Sequence, residues 1–290
     1  MTESVITARN LSKTFGSFQA LKNASFDIPK GRIVGVIGAN GAGKTTLLNA
    51  ILGLSSCDGD LTVLGLDPKH DRDALMQDVC FIADVATLPK WMKVSDVFDY
   101  VEGVHPRFDR QMAETYLKRT TVPMDRKIKA LSKGMIVQVH LAVVMSIDAK
   151  LLVLDEPTLG LDIIFRKNFY SDLLEEYFDE ERTILITTHN VEEIEHILSD
   201  VIFVRDGEIV LNEEMETLSS SFIELMADKG NEEAAEAFGP ITRSATFGKK
   251  TYVYKDVDRS ALNELGETRR LGLADIFVAT VGTGQKERKE

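Results

Sequence analysis

One stretch of the sequence combines glycines, a lysine and hydroxyl side chains at the spacing of a phosphate-binding loop. Residues 38–46 read GANGAGKTT and fit the pattern G-x-x-x-x-G-K-[ST]. The glycines let successive backbone N–H groups point inward, and the dipole of a following helix adds positive potential. Lys44 is placed to reach the β- and γ-phosphates of a nucleotide, and Thr45 to offer its hydroxyl to Mg²⁺. We predict a nucleotide site here rather than a glycine-rich turn with a surface lysine.

The segments on both sides of this loop have the periodicity that such a site requires. Residues 32–37 are short, apolar and β-branched, which is typical of a buried strand, and residues 46–52 carry apolar side chains at helical spacing up to Gly53. A strand, a glycine loop and a helix in this order are the structural context of a phosphate-binding loop.

Two acidic residues follow another short apolar segment. Residues 150–154 read KLLVL and are followed by Asp155 and Glu156. In a parallel sheet this is the carboxyl end of a strand, where ligands bind. Asp155 suits Mg²⁺, and Glu156 suits the removal of a proton from a water that attacks the γ-phosphate. The alternative is a solvated strand terminus.

A histidine and a serine are the other candidate phosphate contacts. Residues 182–188 form a β-branched segment that ends at His189, which we expect to hydrogen-bond the γ-phosphate or to hold the attacking water. A structural histidine is the alternative. Residues 200–211 are predicted to form a hairpin, because the pair Asp206-Gly207 suits a type I′ turn. Ser132 and Gly134 precede a helical pattern over residues 136–146, where a helix N-terminus would bind an anion. A simple helix cap is the alternative for Ser132.

Composition and charge limit the classes of function. The net charge is −12 and 44% of the 290 residues are hydrophobic, so we expect a globular protein without a nucleic-acid partner, although a local basic patch is compatible with that charge. No run approaches the roughly 18 apolar residues of a membrane span, and no signal peptide is evident, which indicates a cytoplasmic location. Cys57 and Cys80 lack metal-ligand spacing, so we expect inert reduced thiols.

Over residues 5–212, the order of these motifs resembles that of the ATP-binding-cassette (ABC) ATPases, the nucleotide-binding subunits of transporters. Residues 38–45 are similar to the Walker A loop, residues 151–156 to Walker B, and residues 131–135 to the signature that completes the partner's ATP site. Asp162 lies in a segment that resembles the D-loop, and His189 resembles the switch histidine. Phe15 lies where the family places an aromatic that stacks on adenine; an ordinary core residue is the alternative. The resemblance assigns nucleotide contacts to Phe15, Gly38, Asn40, Gly41, Ala42, Gly43, Lys44, Thr45 and Thr46, and contacts in trans to Ser132, Lys133 and Gly134.

The sequence departs from the family pattern at two motifs. The signature reads Ser132-Lys133-Gly134-Met135, whereas the family usually has Ser-Gly-Gly-Gln, so the polar glutamine is missing. After the strand predicted over residues 79–83, the family places a glutamine and this chain has Asp84. An aspartate only accepts hydrogen bonds and adds negative charge near the phosphate, so Asp84 is a less certain metal ligand than Thr45 and Asp155.

The resemblance implies an α/β fold with several parts. We expect a P-loop NTPase core, an N-terminal antiparallel β subdomain over residues 5–28 and a helical insert over about residues 86–146. The cassette domain would comprise residues 1–212, and residues 213–290 would form a small α+β accessory region. In that region we predict a helical segment at residues 222–227, strands within 244–254 and a closing helix at 271–279.

The resemblance also implies a function and partners. Two cassettes pair head to tail, as a homodimer or as a heterodimer with a second ABC ATPase, and each signature completes the other's ATP site. The predicted function is ATP- and Mg²⁺-dependent hydrolysis that drives transport, in the export direction, through a separate permease, at the inner face of the membrane. Trp91 and Met92 are candidate permease contacts, with core packing as the alternative. The competing hypotheses are a soluble cassette protein that acts on ribosomes or DNA and a nucleotide binder that barely hydrolyses ATP.

Overall fold

Strands and helices alternate along most of the computed structural model, which describes residues 3–83, 88–246 and 249–282. The strands are β1 (Ser4–Phe15), β2 (Phe18–Pro29), β3 (Ile33–Ile37), β4 (Asp58–Val63), β5 (Val79–Ile82), β6 (Leu151–Asp155), β7 (Thr183–Thr188), β8 (Asp200–Arg205), β9 (Glu208–Glu214), β10 (Phe222–Ala227), β11 (Thr242–Thr246), β12 (Lys249–Lys255) and β13 (Gly266–Arg270). The α-helices are α1 (Lys44–Ile51), α2 (Arg72–Leu75), α3 (Val94–Val104), α4 (Arg110–Lys118), α5 (Lys133–Met145), α6 (Ile163–Asp172), α7 (Val191–Ile194), α8 (Met215–Ser221), α9 (Glu232–Ala237), α10 (Arg259–Asn263) and α11 (Leu273–Gly282). In the described ranges no helix has the length and apolar character needed to span a bilayer.

A six-stranded sheet in the order β5-β6-β7-β3-β8-β9 forms the centre of the fold. Every pair except β8 with β9 is parallel. All residues of β3, β6 and β7 are buried, because layers cover both faces of the sheet. Side chains of β3 alternate between two hydrophobic cores, with Ile33 and Ile37 in one and Val34 and Val36 in the other. This arrangement confirms the predicted α/β core.

A second, antiparallel sheet in the order β2-β1-β4 covers one face of the core together with α1. The predicted N-terminal β subdomain therefore exists, but it recruits β4 from the chain that follows α1. The sequence of β4, DGDLTV, is polar and mostly exposed, so it has no hydrophobic pattern that would mark it as a strand. Backbone pairing of Ile6 with Val63 and of Ala8 with Leu61 holds β4 in place.

Helices α3, α4 and α5 lie on the other side and outside the sheet, as predicted for the insert. Both helices that follow the motifs begin earlier in the sequence than predicted. Helix α1 begins at Lys44 rather than Thr46, and α5 begins at Lys133 rather than Ile136. Ser132 is the N-cap of α5 and its hydroxyl accepts a hydrogen bond from the Met135 N–H at 3.2 Å. Both helices thus start within their motifs.

The C-terminal region contains a four-stranded antiparallel sheet in the order β11-β12-β10-β13. The helical segment predicted at residues 222–227 is wrong, since these residues form β10, which pairs with both β12 and β13. A short run of five apolar residues and one glutamate fits a central strand as well as a helix, and the buried alternation of Ile223, Leu225 and Ala227 decides for the strand. The strands predicted within 244–254 are confirmed. The division of the chain at residue 212 remains a prediction, and β9 ends at Glu214.

The closing helix α11 returns to the core and attaches the C-terminal region to it. Phe277 meets Phe203 of β8 edge to face, with ring centroids 5.1 Å apart. At the start of the helix, the Leu273 N–H donates to the Glu195 carboxylate at 2.8 Å. Leu273, Ile276 and Ala279 are buried in the same core as the insert. These contacts explain why the apolar segment predicted at 271–279 is helical.

We expect Phe277→Ala to destabilise the protein by about 2 kcal/mol, because a half-buried ring and its aromatic contact are lost. Val278→Ala is the matched control: Val278 is on the same helix, is 66% exposed, and its truncation should change stability by less than about 0.5 kcal/mol. Equilibrium unfolding in urea measures both values. Equal effects of the two variants would contradict the packing role of Phe277.

Candidate nucleotide-binding site

The GANGAGKTT loop leaves β3 and enters α1 through two glycines with left-handed backbone. Gly41 has φ of 81° and Gly43 has φ of 111°, conformations that side chains other than glycine rarely adopt. A Cβ on Gly43 would also lie 2.6 Å from the Ala20 carbonyl oxygen. The loop is therefore closely packed, and its N–H groups lead into the N-terminus of α1.

The loop rests on the turn between β8 and β9. Asp206 and Gly207 both have positive φ, as predicted for a type I′ turn. The Gly207 N–H donates to the Ala42 carbonyl at 2.9 Å, and the Gly207 carbonyl accepts from the Lys22 N–H at 2.8 Å. This turn was predicted as a hairpin, but its contact with the loop has no signal in the sequence.

Lys44 is folded back onto its own loop. Its ammonium donates to the carbonyls of Gly38 at 2.7 Å and Ala39 at 3.2 Å, and the residue is 8% exposed. Burial lowers the pKa of Lys44, and the carboxylates of Glu156 and Asp155 oppose this shift. The lysine is thus held at the loop, close enough to both acids for their charges to affect its pKa.

The parallel register of β6 and β7 places hydroxyl groups beside the two acids. Asp155 pairs with Thr187 in the sheet, and the buried Thr187 hydroxyl donates a hydrogen bond to the Asp155 carboxylate. Asp155 is only 6% exposed. Thr187 was not singled out in the sequence, although its position two residues before His189 at the end of a buried strand is a usable signal.

Glu156 and His189 form a hydrogen-bonded pair at the ends of these strands. Nδ1 of His189 lies 2.8 Å from Oε2 of Glu156. The Glu156 N–H donates to the Thr187 carbonyl at 3.1 Å, and Glu156 has φ of 49°, so the backbone turns sharply here. The Glu156 side chain reaches His189, whose ring is more than half exposed. The two predicted catalytic residues are therefore in contact.

A cavity of about 290 Å³ lies between the glycine loop, which carries Lys44, and the two acids Asp155 and Glu156. Its lining consists of Phe18, Ala20, Asn40, Gly41, Gly43, Lys44, Thr45, Thr46, Asp155 and Glu156. The predicted loop and the predicted acids thus share one cavity, with Thr45 and Asp155 as its hydroxyl and carboxylate ligands for a cation. Those are the oxygen donors that Mg²⁺ prefers.

The aromatic residues near the cavity differ from the prediction. Phe18 lines the cavity and is 61% exposed. Phe15 is 54% exposed, so the alternative that it is an ordinary core residue is excluded. The Lys13 ammonium lies 5.2 Å from the centre of the Phe15 ring. Phe15 and Phe18 are directly paired across the turn from β1 to β2. The resemblance to the family assigns the adenine contact to Phe15 only, so it gives no signal for Phe18.

The signature and D-loop segments lie side by side, apart from the cavity. A Cβ on Gly134 would lie 3.7 Å from the Gly160 carbonyl, with no nearer contact. Asp162 is the N-cap of α6 and accepts from the N–H groups of Ile164 at 3.1 Å and Phe165 at 2.9 Å. Ser132 and Lys133 are exposed. None of these residues lines the cavity in the same chain.

The remaining predicted residues have different outcomes. Asp84 lies outside the described residues. Trp91 is 69% exposed, so core packing is excluded for it, whereas Met92 packs against the core. Cys80 is buried and Cys57 half-buried, both as free thiols, and burial raises the pKa of Cys80 to about 12. A thiol with this pKa is unreactive at neutral pH, as expected.

Comparison with known proteins identifies the family. The family model described as "ABC transporter" matches residues 21–159. An uncharacterized ABC transporter ATP-binding protein YdbJ of Bacillus subtilis (strain 168) is 31% identical over 72% of this chain and 69% of its own length. The ABC transporter ATP-binding protein YtrB of the same organism is 29% identical over 76% of each chain.

A solved structure shares the fold. The dimeric structure of a post-hydrolysis state of an ATP-binding cassette, bound to ADP and Pi, has a TM-score of 0.63 and 22% identity, and the match covers 72% of this chain and 98% of that one. Together, the loop, the acids, their common cavity and these relatives show that the chain belongs to the ATP-binding subunits of the ABC transporter family.

Proposed function

We propose that this chain binds and hydrolyses ATP as one of two cassettes in a transporter, and that it drives export through a separate membrane permease. The observation that carries the proposal is the cavity in which the glycine loop faces Asp155 and Glu156. The closing helix α11, which resembles the last helix of many exporter-type cassettes, supports the direction. Steady-state ATP turnover by the purified chain tests the proposal and separates it from a nucleotide binder that barely hydrolyses.

Phosphate binding would use contacts that the loop now makes with itself. The Lys44 ammonium donates to two backbone carbonyls, and phosphate oxygens are stronger, charged acceptors for the same protons. The N–H groups at the start of α1 would add to this attraction. Gly38, Asn40, Gly41, Ala42, Gly43, Lys44, Thr45 and Thr46 would thus hold the phosphates, while Phe15 and the neighbouring Phe18 would stack on the adenine.

Thr45 and Asp155 are the residues that fit a magnesium ion. When bound, Mg²⁺ neutralises part of the charge on the phosphate oxygens. The Thr187 hydroxyl fixes one carboxylate oxygen of Asp155, so the direction of the other oxygen is set by the sheet.

Hydrolysis would begin with a water at the γ-phosphate. Glu156 would accept its proton, because Glu156 lines the cavity and its carboxylate is held in place by His189. His189, now 2.8 Å from that carboxylate, would exchange its partner for the γ-phosphate when ATP is present. The hydrogen bond between Glu156 and His189 keeps both side chains at the edge of the sheet where the water must bind.

A second cassette would complete the site. Ser132, Lys133 and Gly134 start α5 and lie away from their own cavity, so they can contact the nucleotide only of a partner chain. Asp162 caps α6 beside them and would lie at the same interface. The partner is a second copy or a homologous cassette. The helical insert would contact the permease and hold the chain at the cytoplasmic face of the membrane.

Lys44→Ala should weaken binding of a fluorescent ATP analogue by about 10- to 100-fold, because one charged donor to the β- and γ-phosphates is lost. Lys69→Ala is the control, as Lys69 is an exposed lysine away from the cavity. A titration of each protein gives the dissociation constants. Unchanged affinity in Lys44→Ala would show that the loop is not the nucleotide site.

Glu156→Gln should lower ATP turnover by about 10²- to 10⁴-fold and accumulate an ATP-bound dimer, since the proton acceptor is removed while the phosphate contacts remain. Light scattering with Mg-ATP and with Mg-ADP measures the mass of the particle. A dimer that forms equally with ADP would contradict the shared γ-phosphate.

Addition of Ser132→Arg to Glu156→Gln should abolish the ATP dimer, because the arginine would occupy the space of the opposing phosphate. Binding of ATP to the monomer should persist, since Ser132 does not line the cavity of its own chain. Ser132→Ala in the same background is the milder control. An intact ATP dimer in the arginine variant would exclude this mode of pairing.

Thr187→Val should raise the Mg²⁺ concentration for half-maximal turnover by about tenfold, because Asp155 loses a buried hydrogen-bond donor. Thr187→Ser retains the hydroxyl and should behave like the parent. Binding of ATP without Mg²⁺ should be the same in all three proteins, which separates a metal effect from misfolding. Identical Mg²⁺ curves for the valine and serine variants would refute the role of the hydroxyl.

A further inference from the structure

Five basic residues gather on one surface of the helical insert, although the chain as a whole has a net charge of −12. We define the basic patch as the exposed side chains of Lys90, Lys93, Arg126, Lys127 and Lys129. They come from two segments that are more than thirty positions apart in the sequence. The fold, and not a run of charge in the sequence, therefore creates the basic patch.

Backbone pairing fixes the two segments against each other. The Lys129 N–H donates to the Lys90 carbonyl at 3.1 Å, and the Val94 N–H donates to the Arg126 carbonyl at 3.1 Å. Lys93 and Lys127 form an antiparallel bridge between these contacts. The fold thus already holds the basic side chains together, so the binding of a ligand to them does not have to order the backbone.

Within the described ranges, no ion pair neutralises the positive charge of the basic patch. None of its five side chains forms an ion pair with another residue in the ranges that the structure describes. Other basic residues of the same insert are paired, since Arg110 contacts Asp99 and Glu102, and Arg119 contacts Glu176 at 2.7 Å. Asp125 is the exposed acid within the paired segments, and Asp96 beside them is half-buried.

An exposed tryptophan lies within the basic patch. Trp91 is between Lys90 and Lys93 and is 69% exposed, while its neighbour Met92 packs inward against the core. Met92 accepts from the Ile128 N–H at 2.9 Å, which anchors this part of the loop. An indole ring with lysines around it is typical of a surface that meets the polar headgroups of a bilayer.

We propose that the basic patch and Trp91 bind the anionic phospholipid surface of the membrane directly. Lysine side chains on flexible stems attract a diffuse layer of phosphate charge without fixed geometry, and Trp91 would insert at the level of the headgroups. The negative charge elsewhere on the chain would orient the molecule, because only this surface is attracted to the lipid. The proposal assigns Trp91 to lipid instead of to the permease contact expected from the sequence, and it leaves the rest of the helical insert to the permease. The lipid contact goes beyond the proposed function and does not require nucleotide, dimerisation or hydrolysis.

The test measures the binding of the nucleotide-free full-length chain to vesicles by co-sedimentation. The protein should bind vesicles that contain phosphatidylglycerol, bind vesicles of phosphatidylcholine far more weakly, and dissociate as salt is raised. Each cation near such a surface contributes about fivefold, so Lys93→Gln/Lys127→Gln/Lys129→Gln should lower the partition constant by about 100-fold. Trp91→Ala should weaken binding as well, and Trp91→Phe should restore part of it.

A matched triple variant controls for net charge. Lys229→Gln/Lys249→Gln/Lys250→Gln removes the same charge from exposed lysines of the C-terminal region and should bind the anionic vesicles like the parent. Absence of binding by the parent at low salt would overturn the proposal. So would equal losses in the two triple variants, or a loss of permease binding in the patch variant with unchanged vesicle binding. Titration with the ATP analogue on the same proteins keeps the outcomes separate, since normal affinity shows an intact nucleotide site whatever the vesicles report.

Discussion

The site depends on the parallel pairing of three adjacent strands, β6, β7 and β3. Their register sets Asp155 beside Thr187 and Ile37 beside Thr188, so the glycine loop, the two acids and His189 all leave the sheet at one edge. These residues are far apart in the sequence, and no hydrogen bond among the side chains could gather them without the strands. Because β3, β6 and β7 are buried on both faces, a slip of one residue would exchange the two cores, which makes the register costly to change.

The sequence predicted the parts of this arrangement whose chemistry is local. Buried strands that carry motifs are short, β-branched and apolar, and a glycine loop has few other uses between a strand and a helix. The polar strand β4 was not predicted, because its stability comes from backbone pairing with β1. Strand β10 was mistaken for a helix because such a short, mostly apolar run has no unique period. Thr187, Phe18 and Gly207 acquire their importance only from neighbours that the fold brings to them. The sequence shows only that a local basic patch is compatible with the net negative charge. It does not locate the basic patch, because the pairing of two distant segments creates it.

The charged groups of the site have hydrogen-bond partners within the chain. Lys44 is held by loop carbonyls, Asp155 by Thr187, and Glu156 by His189. Each contact keeps a side chain close to the position in which the proposed reaction would need it, so binding of ATP would exchange partners rather than order mobile groups. Burial lowers the pKa of Lys44, and the carboxylates of Glu156 and Asp155 act in the opposite direction by favouring the charged ammonium.

The side chains that line the cavity carry a net negative charge, which opposes the entry of ATP. Its lining holds one cation, Lys44, and two anions, Asp155 and Glu156, before a polyanionic ligand enters. Backbone N–H groups and Mg²⁺ would offset part of this repulsion. The N-terminus of α5 in the partner would offset the remainder. Lys133 stands in the signature where the family usually has glycine, and it is exposed at the first turn of that helix. In the proposed dimer its ammonium would add a cation where the signature lacks its glutamine, so in this chain the attraction between partner and γ-phosphate would come more from charge and less from a directed amide hydrogen bond.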